Sequence, residues 1–148
     1  MKFKPLFILF LFQFGAFVYA QNAEKTYNLN KDGVAIEGYD LVSYFEAERP
    51  LKGKAENALL YKGATYWFAS MANKEKFKSA PENYLPQYGG WCAYAMAKGN
   101  QVEINPEAYL IQQEKLYLFY KTSWINTRTK WLKEPKALQA KADLHWAH

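Results

Sequence analysis

The apolar and polar positions of this chain change rhythm from one segment to the next, and each rhythm predicts a different element. An apolar core over residues 6–18, interrupted by Gln13, follows Lys2 and Lys4 and leads to Val18-Tyr19-Ala20. A basic start, a short apolar core and small residues at the end predict a secretory signal peptide over 1–20, cleaved before Gln21. The core falls short of the roughly 18 apolar residues of a spanning helix, so no stable membrane anchor is expected after cleavage. Residues 21–33 are mostly polar and predict a flexible lead into a single domain over 34–148.

Within that domain, Leu41, Val42, Tyr44 and Phe45 follow the break at Gly38 and suit a short helix or a bent strand. Residues 59–61 and 65–68 alternate, are rich in aromatic and β-branched side chains, and flank Gly63, which predicts a hairpin. Ser70 is placed to cap a helix running through Met71, Lys74 and Phe77 until Pro81 stops it. Tyr88-Gly89-Gly90 punctuates the chain before WCAYAMAKG, an alanine-rich run closed by Gly99 that fits a short helix. A second hairpin is expected from 108–111 and 116–120, a helix over 124–132, and an amphipathic helix from Pro135 through Leu138 and Leu144 into an unstructured terminus. The hairpin-then-helix order occurs twice, with too little residue identity to read as duplication. Together these elements predict a small α+β domain in which two β-hairpins form an antiparallel sheet covered by short helices.

Charge and composition narrow the function. The 148 residues carry a formal net charge of +5, and about 128 residues with a charge of about +3 remain once the leader is removed, enough for one domain. Lysines and glutamates are intermixed, so no nucleic-acid partner is expected. Export places the protein in the periplasm or outside the cell. Cys92 is the only cysteine, so no disulfide can form within the chain, and the thiol is a core residue, an intermolecular partner or a ligand.

The candidate chemistry is sparse. On a helical reading, Cys92 and Met96 lie one turn apart, a thiolate and a thioether suited to Cu(I), with Met71 or a terminal histidine to complete the set. The alternative is that both fill the core. His145 and His148 have chelating spacing, but at a chain end that is expected to fray. Tyr39 and Asp40 form the most site-like polar cluster, with Asp40 either capping the next helix or edging a ligand pocket that faces Tyr88 and Trp91. Outside the tail there is no histidine to activate a nucleophile, so the chain is expected to bind rather than to catalyse.

The motifs GYDLVSYF, YKGATYWF, ANKEKFKSAPENYLPQYGGWCAYAM and NPEAYLI, in that order, resemble the secreted single-domain branch of the YHS-domain proteins. The resemblance, which extends to the related TRASH domains, implies a metal-binding module of copper and other metal handling. It also implies cysteine ligands at three positions, occupied here by Ser43, Ala69 and Asn73. None supplies a thiolate. The expectation is therefore an exported binding or accessory module. It binds either a soft metal such as copper through a rebuilt site at Cys92 and Met96, or a small molecule or protein through Tyr39, Asp40, Tyr88 and Trp91.

Overall fold

The computed structural model describes residues 26–148; the expected signal peptide and its cleavage site lie outside them. The architecture is α+β, with two antiparallel hairpins and short helices. Strands β1 (Lys54–Tyr61) and β2 (Ala64–Phe68) form the first hairpin, and β3 (Asn105–Gln112) and β4 (Lys115–Phe119) form the second. The hairpins do not join in one sheet, as the sequence suggested, but stand as two separate two-stranded sheets. Each turns through two residues of positive φ, Lys62-Gly63 and Gln113-Glu114. Such turns match the right-handed twist of the paired strands.

The two halves share more than hairpins. In each, a parallel bridge joins a lead residue to the second position of the hairpin's second strand, Val34 to Thr65 and Pro86 to Leu116. A left-handed turn follows, Ile36–Gly38 in the first half and Gln87–Gly90 in the second. Next comes a one-turn helix, α1 (Ser43–Glu46) or α3 (Ala93–Met96). Each hairpin has a register shift at the same place, where its strands open toward Phe68 or Phe119. A capped helix closes each half. Ser70 accepts from the Asn73 amide to start α2 (Met71–Ser79), and Asn126 accepts from that of Arg128 to start α4 (Thr127–Trp131). Residues 34–131 thus repeat one order of elements twice.

A fully buried aromatic plugs each half. Phe77 packs on Tyr66 and Phe68 with ring centroids 5.3 and 5.1 Å apart, and Trp131 packs on Tyr117 and Phe119 at 5.4 and 5.7 Å. One apolar cluster draws on both halves, joining Phe77 and Phe68 to Cys92, Ile104, Leu116 and Leu118.

Three further sequence expectations change. The helix expected over 124–132 begins only at Thr127, because 121–126 form a turn closed by a Lys121–Asn126 bridge. The terminus does not fray: α5 (Pro135–Ala147) buries Leu138 and Ala142, not Leu144. His145 Nδ1 lies 3.0 Å from the Met96 carbonyl oxygen, and Trp146 covers Gly89 so closely that a Cβ there would come within 2.8 Å of the indole. Finally, the segment expected to be flexible is pinned over 26–33. The Asn28 amide donates to the Gly89 carbonyl at 2.9 Å, and Trp91 Nε1 donates to that of Thr26 at 2.8 Å.

Candidate functional site

Asp40 has no solvent exposure, and four donors converge on its carboxylate. Oδ1 accepts from the amides of Val42 and Ser43 at 2.8 and 3.3 Å. Oδ2 accepts from the Ala69 amide at 2.8 Å and from Asn73 Nδ2 at 2.7 Å. Ser43, Ala69 and Asn73, the positions at which the resemblance implied thiolate ligands, are therefore gathered on one acceptor. An acidic side chain here ties the start of α1 to the start of α2, so Asp40 caps as expected but opens on no pocket. Ser43 Oγ completes the knot, donating to the Asp40 carbonyl at 2.6 Å and accepting from the Leu51 amide at 2.9 Å.

Cys92 holds the corresponding place in the second half. The Asp40 amide donates to the Leu51 carbonyl and the Cys92 amide to that of Val102, each at 2.9 Å. As Asp40 accepts from the residue after β2, Cys92 Sγ accepts from the residue after β4, the Tyr120 amide, at 3.3 Å. It also lies 3.4 Å from Thr127 Oγ1, whose hydroxyl donates to the Tyr120 carbonyl. Cys92 is fully buried, and Met96 packs in the other apolar cluster, with Ala93 and Trp131. Among the described residues no group of three or more His, Cys, Asp or Glu side chains is placed to hold a metal ion. This donor set does not fit a soft-metal centre. Cys92→Ser is expected to lower stability by about 1–2 kcal/mol, since the smaller, more polar hydroxyl leaves part of the buried sulfur's packing space unfilled and lies farther from the Tyr120 amide. Urea denaturation checks this, and alkylation of Cys92 only after unfolding checks the burial.

The four residues expected to share a ligand surface do not meet. Tyr39 stacks under Lys52, whose Nζ is 5.6 Å from the ring centroid, and partial burial, then Glu107 and Glu37, push its phenol up. Asp40 is enclosed in its knot, and Trp91 is spent on Thr26. Tyr88 lines a cavity, and its hydroxyl is held by Asp143 at 2.8 Å.

That cavity, about 380 Å³, lies where the turns of the two halves meet. Ile36 and Glu37 have φ of 52° and 51°, and Tyr88 has 58°. A β-branched residue in this region is rare, and such conformations cost on the order of 1–3 kcal/mol each, so they persist only where the surroundings impose them. The turns also touch: a Cβ on Gly90 would sit 2.8 Å from Ile36 Cδ1. Tyr27, Leu85 and Trp146 add apolar wall. At the rim Lys62 Nζ meets Glu82 Oε1 at 2.5 Å, and Tyr61 donates to the same oxygen at 2.8 Å. Those two donors, Lys62 first, hold the Glu82 carboxyl below its ordinary range.

Tyr66 supplies the cavity's distinctive group. It is 3% exposed, it lines the cavity, and its hydroxyl has no hydrogen-bond partner among the described residues. Burial, then the neighbouring Tyr27, Tyr61 and Glu82, push its phenol far up, so it stays a donor at neutral pH. Sequence reasoning passed over Tyr66 because its place in an alternating strand marks it as core. No local signal pairs it with Ile36 and Trp146, which lie far from it in the chain.

A small α+β domain with a carboxylate-centred knot and an aromatic cavity between two similar halves is the class these features define. Residues 42–88 match the YHS domain, which supports a relation to the YHS-domain family over that segment. YHS domains are in general regarded as metal-binding modules. The match spans the first half and ends at the Tyr88 turn. No curated protein and no solved structure matches the chain significantly.

Proposed function

We propose that this protein is an exported accessory module that binds a small molecule, without catalysis, in the cavity between its halves. The observation that carries this reading is the Tyr66 hydroxyl: a buried donor without a hydrogen-bond partner among the described residues, on a side chain that lines an aromatic-walled space. Buried polar groups are ordinarily paired, so one left unpaired beside a cavity is suited to pairing with a ligand. The walls favour a flat apolar molecule, and the hydroxyl favours one carrying a carbonyl or similar acceptor. The knots at Asp40 and Cys92 hold the two turns that shape the space. In this reading the hydrogen-bonded carboxylate of Asp40 does the structural work that a metal would otherwise do at Ser43, Ala69 and Asn73.

Acetophenone and related monocyclic ketones serve as probes, titrated by NMR into the wild type, Tyr66→Phe and Trp146→Ala. Tyr66→Phe is expected to weaken binding about 2- to 10-fold, the worth of one hydrogen bond, with little change in fold because the ring remains. The reading fails if these probes do not bind, or if both variants bind them as the wild type does. The copper reading through Cys92 and Met96 makes a different prediction: Cu(I) retained in native mass spectra by the wild type and lost in Cys92→Ser. We expect no such difference, because the sulfur is already engaged inside the core.

A further inference from the structure

The second half departs from the first at one point. After β2 the chain passes through Ala69 directly to the Ser70 cap of α2, whereas after β4 the extra turn at 121–126 intervenes before α4. That turn is well ordered by its own bonds: Thr122 Oγ1 accepts from the amides of Trp124 and Ile125 at 3.3 and 3.1 Å, and the Thr122 amide donates to the Ile125 carbonyl at 2.8 Å. A turn held this firmly presents its tip at fixed orientation. The tip is Trp124, 94% exposed, beside Ile125 at 43%. An indole in water serves no packing role in the domain.

The surroundings are basic. Residues 121–136 contain five basic side chains, Lys121, Arg128, Lys130, Lys133 and Lys136, against the single acid Glu134. Lys130 and Lys98 share the Tyr94 ring, at 5.7 and 5.5 Å from its centroid. The ion pairs of the described residues, Lys62–Glu82 and Lys76–Glu46, lie elsewhere. The charge here is thus left uncompensated by the protein.

We infer that the Trp124–Ile125 turn docks the folded domain on an anionic lipid bilayer, the indole entering the headgroup boundary and the lysines facing the lipid charge. Tryptophan partitions to that boundary, and a basic collar around an apolar tip is the pattern of a surface-bound, non-spanning contact. No helix among the described residues is long and apolar enough to cross a membrane, so this contact is peripheral.

The test uses the full chain and vesicles of phosphatidylglycerol and phosphatidylcholine with brominated acyl chains, which quench tryptophan. All five tryptophans lie at position 67 or later, so the signal reports the folded domain whatever residues 1–25 do. Quenching is expected at low ionic strength. It should be lost in Trp124→Phe, and it should require at least about 25-fold more lipid in Lys130→Glu/Lys133→Glu, at about fivefold per lysine. These side chains are exposed, so an unchanged thermal midpoint verifies folding. Absence of quenching in the wild type, quenching retained in Trp124→Phe, or equal quenching by phosphatidylcholine alone overturns the inference. The first of these is also the result if the basic collar serves an acidic protein or a nucleic acid.

Discussion

Asp40→Ala is expected to lower the stability of the domain by about 3–5 kcal/mol, because four interior donors lose their acceptor at once. The side chain is fully enclosed and accepts from Val42, Ser43, Ala69 and Asn73. Hydrogen bonds to a carboxylate contribute about 1.5–3 kcal/mol each, and donors left unpaired in the interior cost about 1–3 kcal/mol each. The sum exceeds what a domain of this size can lose, but water entering the vacated space offsets part of it. Asp40→Asn should lie between the wild type and Asp40→Ala, because one oxygen still accepts while the new amide opposes a donor. Asn73→Ala alone should cost about 1 kcal/mol, and the double variant less than the sum, since both remove one bond. Urea denaturation of the four proteins measures this cycle. A loss below about 1 kcal/mol for Asp40→Ala would mean that water replaces the carboxylate at little cost and that the knot does not hold the two helices together.

How much of this was legible depended on whether a residue's role is local. The first hairpin, the Ser70 cap and the second hairpin were legible because turn chemistry, alternation and capping act over a few residues. Asp40 was legible as a cap for the same reason, through Val42 and Ser43. Its bonds to Ala69 and Asn73 were not, since they depend on where β2 delivers the start of α2. The pairing of Asp40 with Cys92 was hidden because the chain uses a carboxylate in one half and a thiol in the other, although both accept from the amide that follows a hairpin. Sequence identity between the halves is low for that reason, while the bridges, left-handed turns and register shifts coincide. The order of the chain's last residues was misjudged because Trp146 packs on Gly89 across most of the domain, and no periodicity carries that contact.

Phe77→Ala carries the other large effect and asks whether the two halves fold as one. Removing a fully buried phenylalanine ring costs about 3–5 kcal/mol, the spread reflecting how far the site collapses. Here the rings of Tyr61, Tyr66, Phe68 and Tyr84 all pack on Phe77, at centroid distances of 5.7, 5.3, 5.1 and 6.4 Å. Collapse would require several strand and turn positions to move together, so the upper part of the range is expected. Trp131→Ala should cost a similar amount in the second half. Its indole nitrogen is buried without a hydrogen-bond partner among the described residues, and loss of that unpaired group offsets some of the lost packing. Because the cluster around Phe77 reaches into the second half through Cys92, Ile104, Leu116 and Leu118, each variant should unfold in a single transition with an unchanged denaturant slope. A biphasic curve for Phe77→Ala, with one phase at the wild-type midpoint, would show that the second half stands without the first and that the shared core does not couple them. Phe77→Ala should also weaken ketone binding beyond the effect of Tyr66→Phe, because Phe77 backs the ring that carries the unpaired hydroxyl.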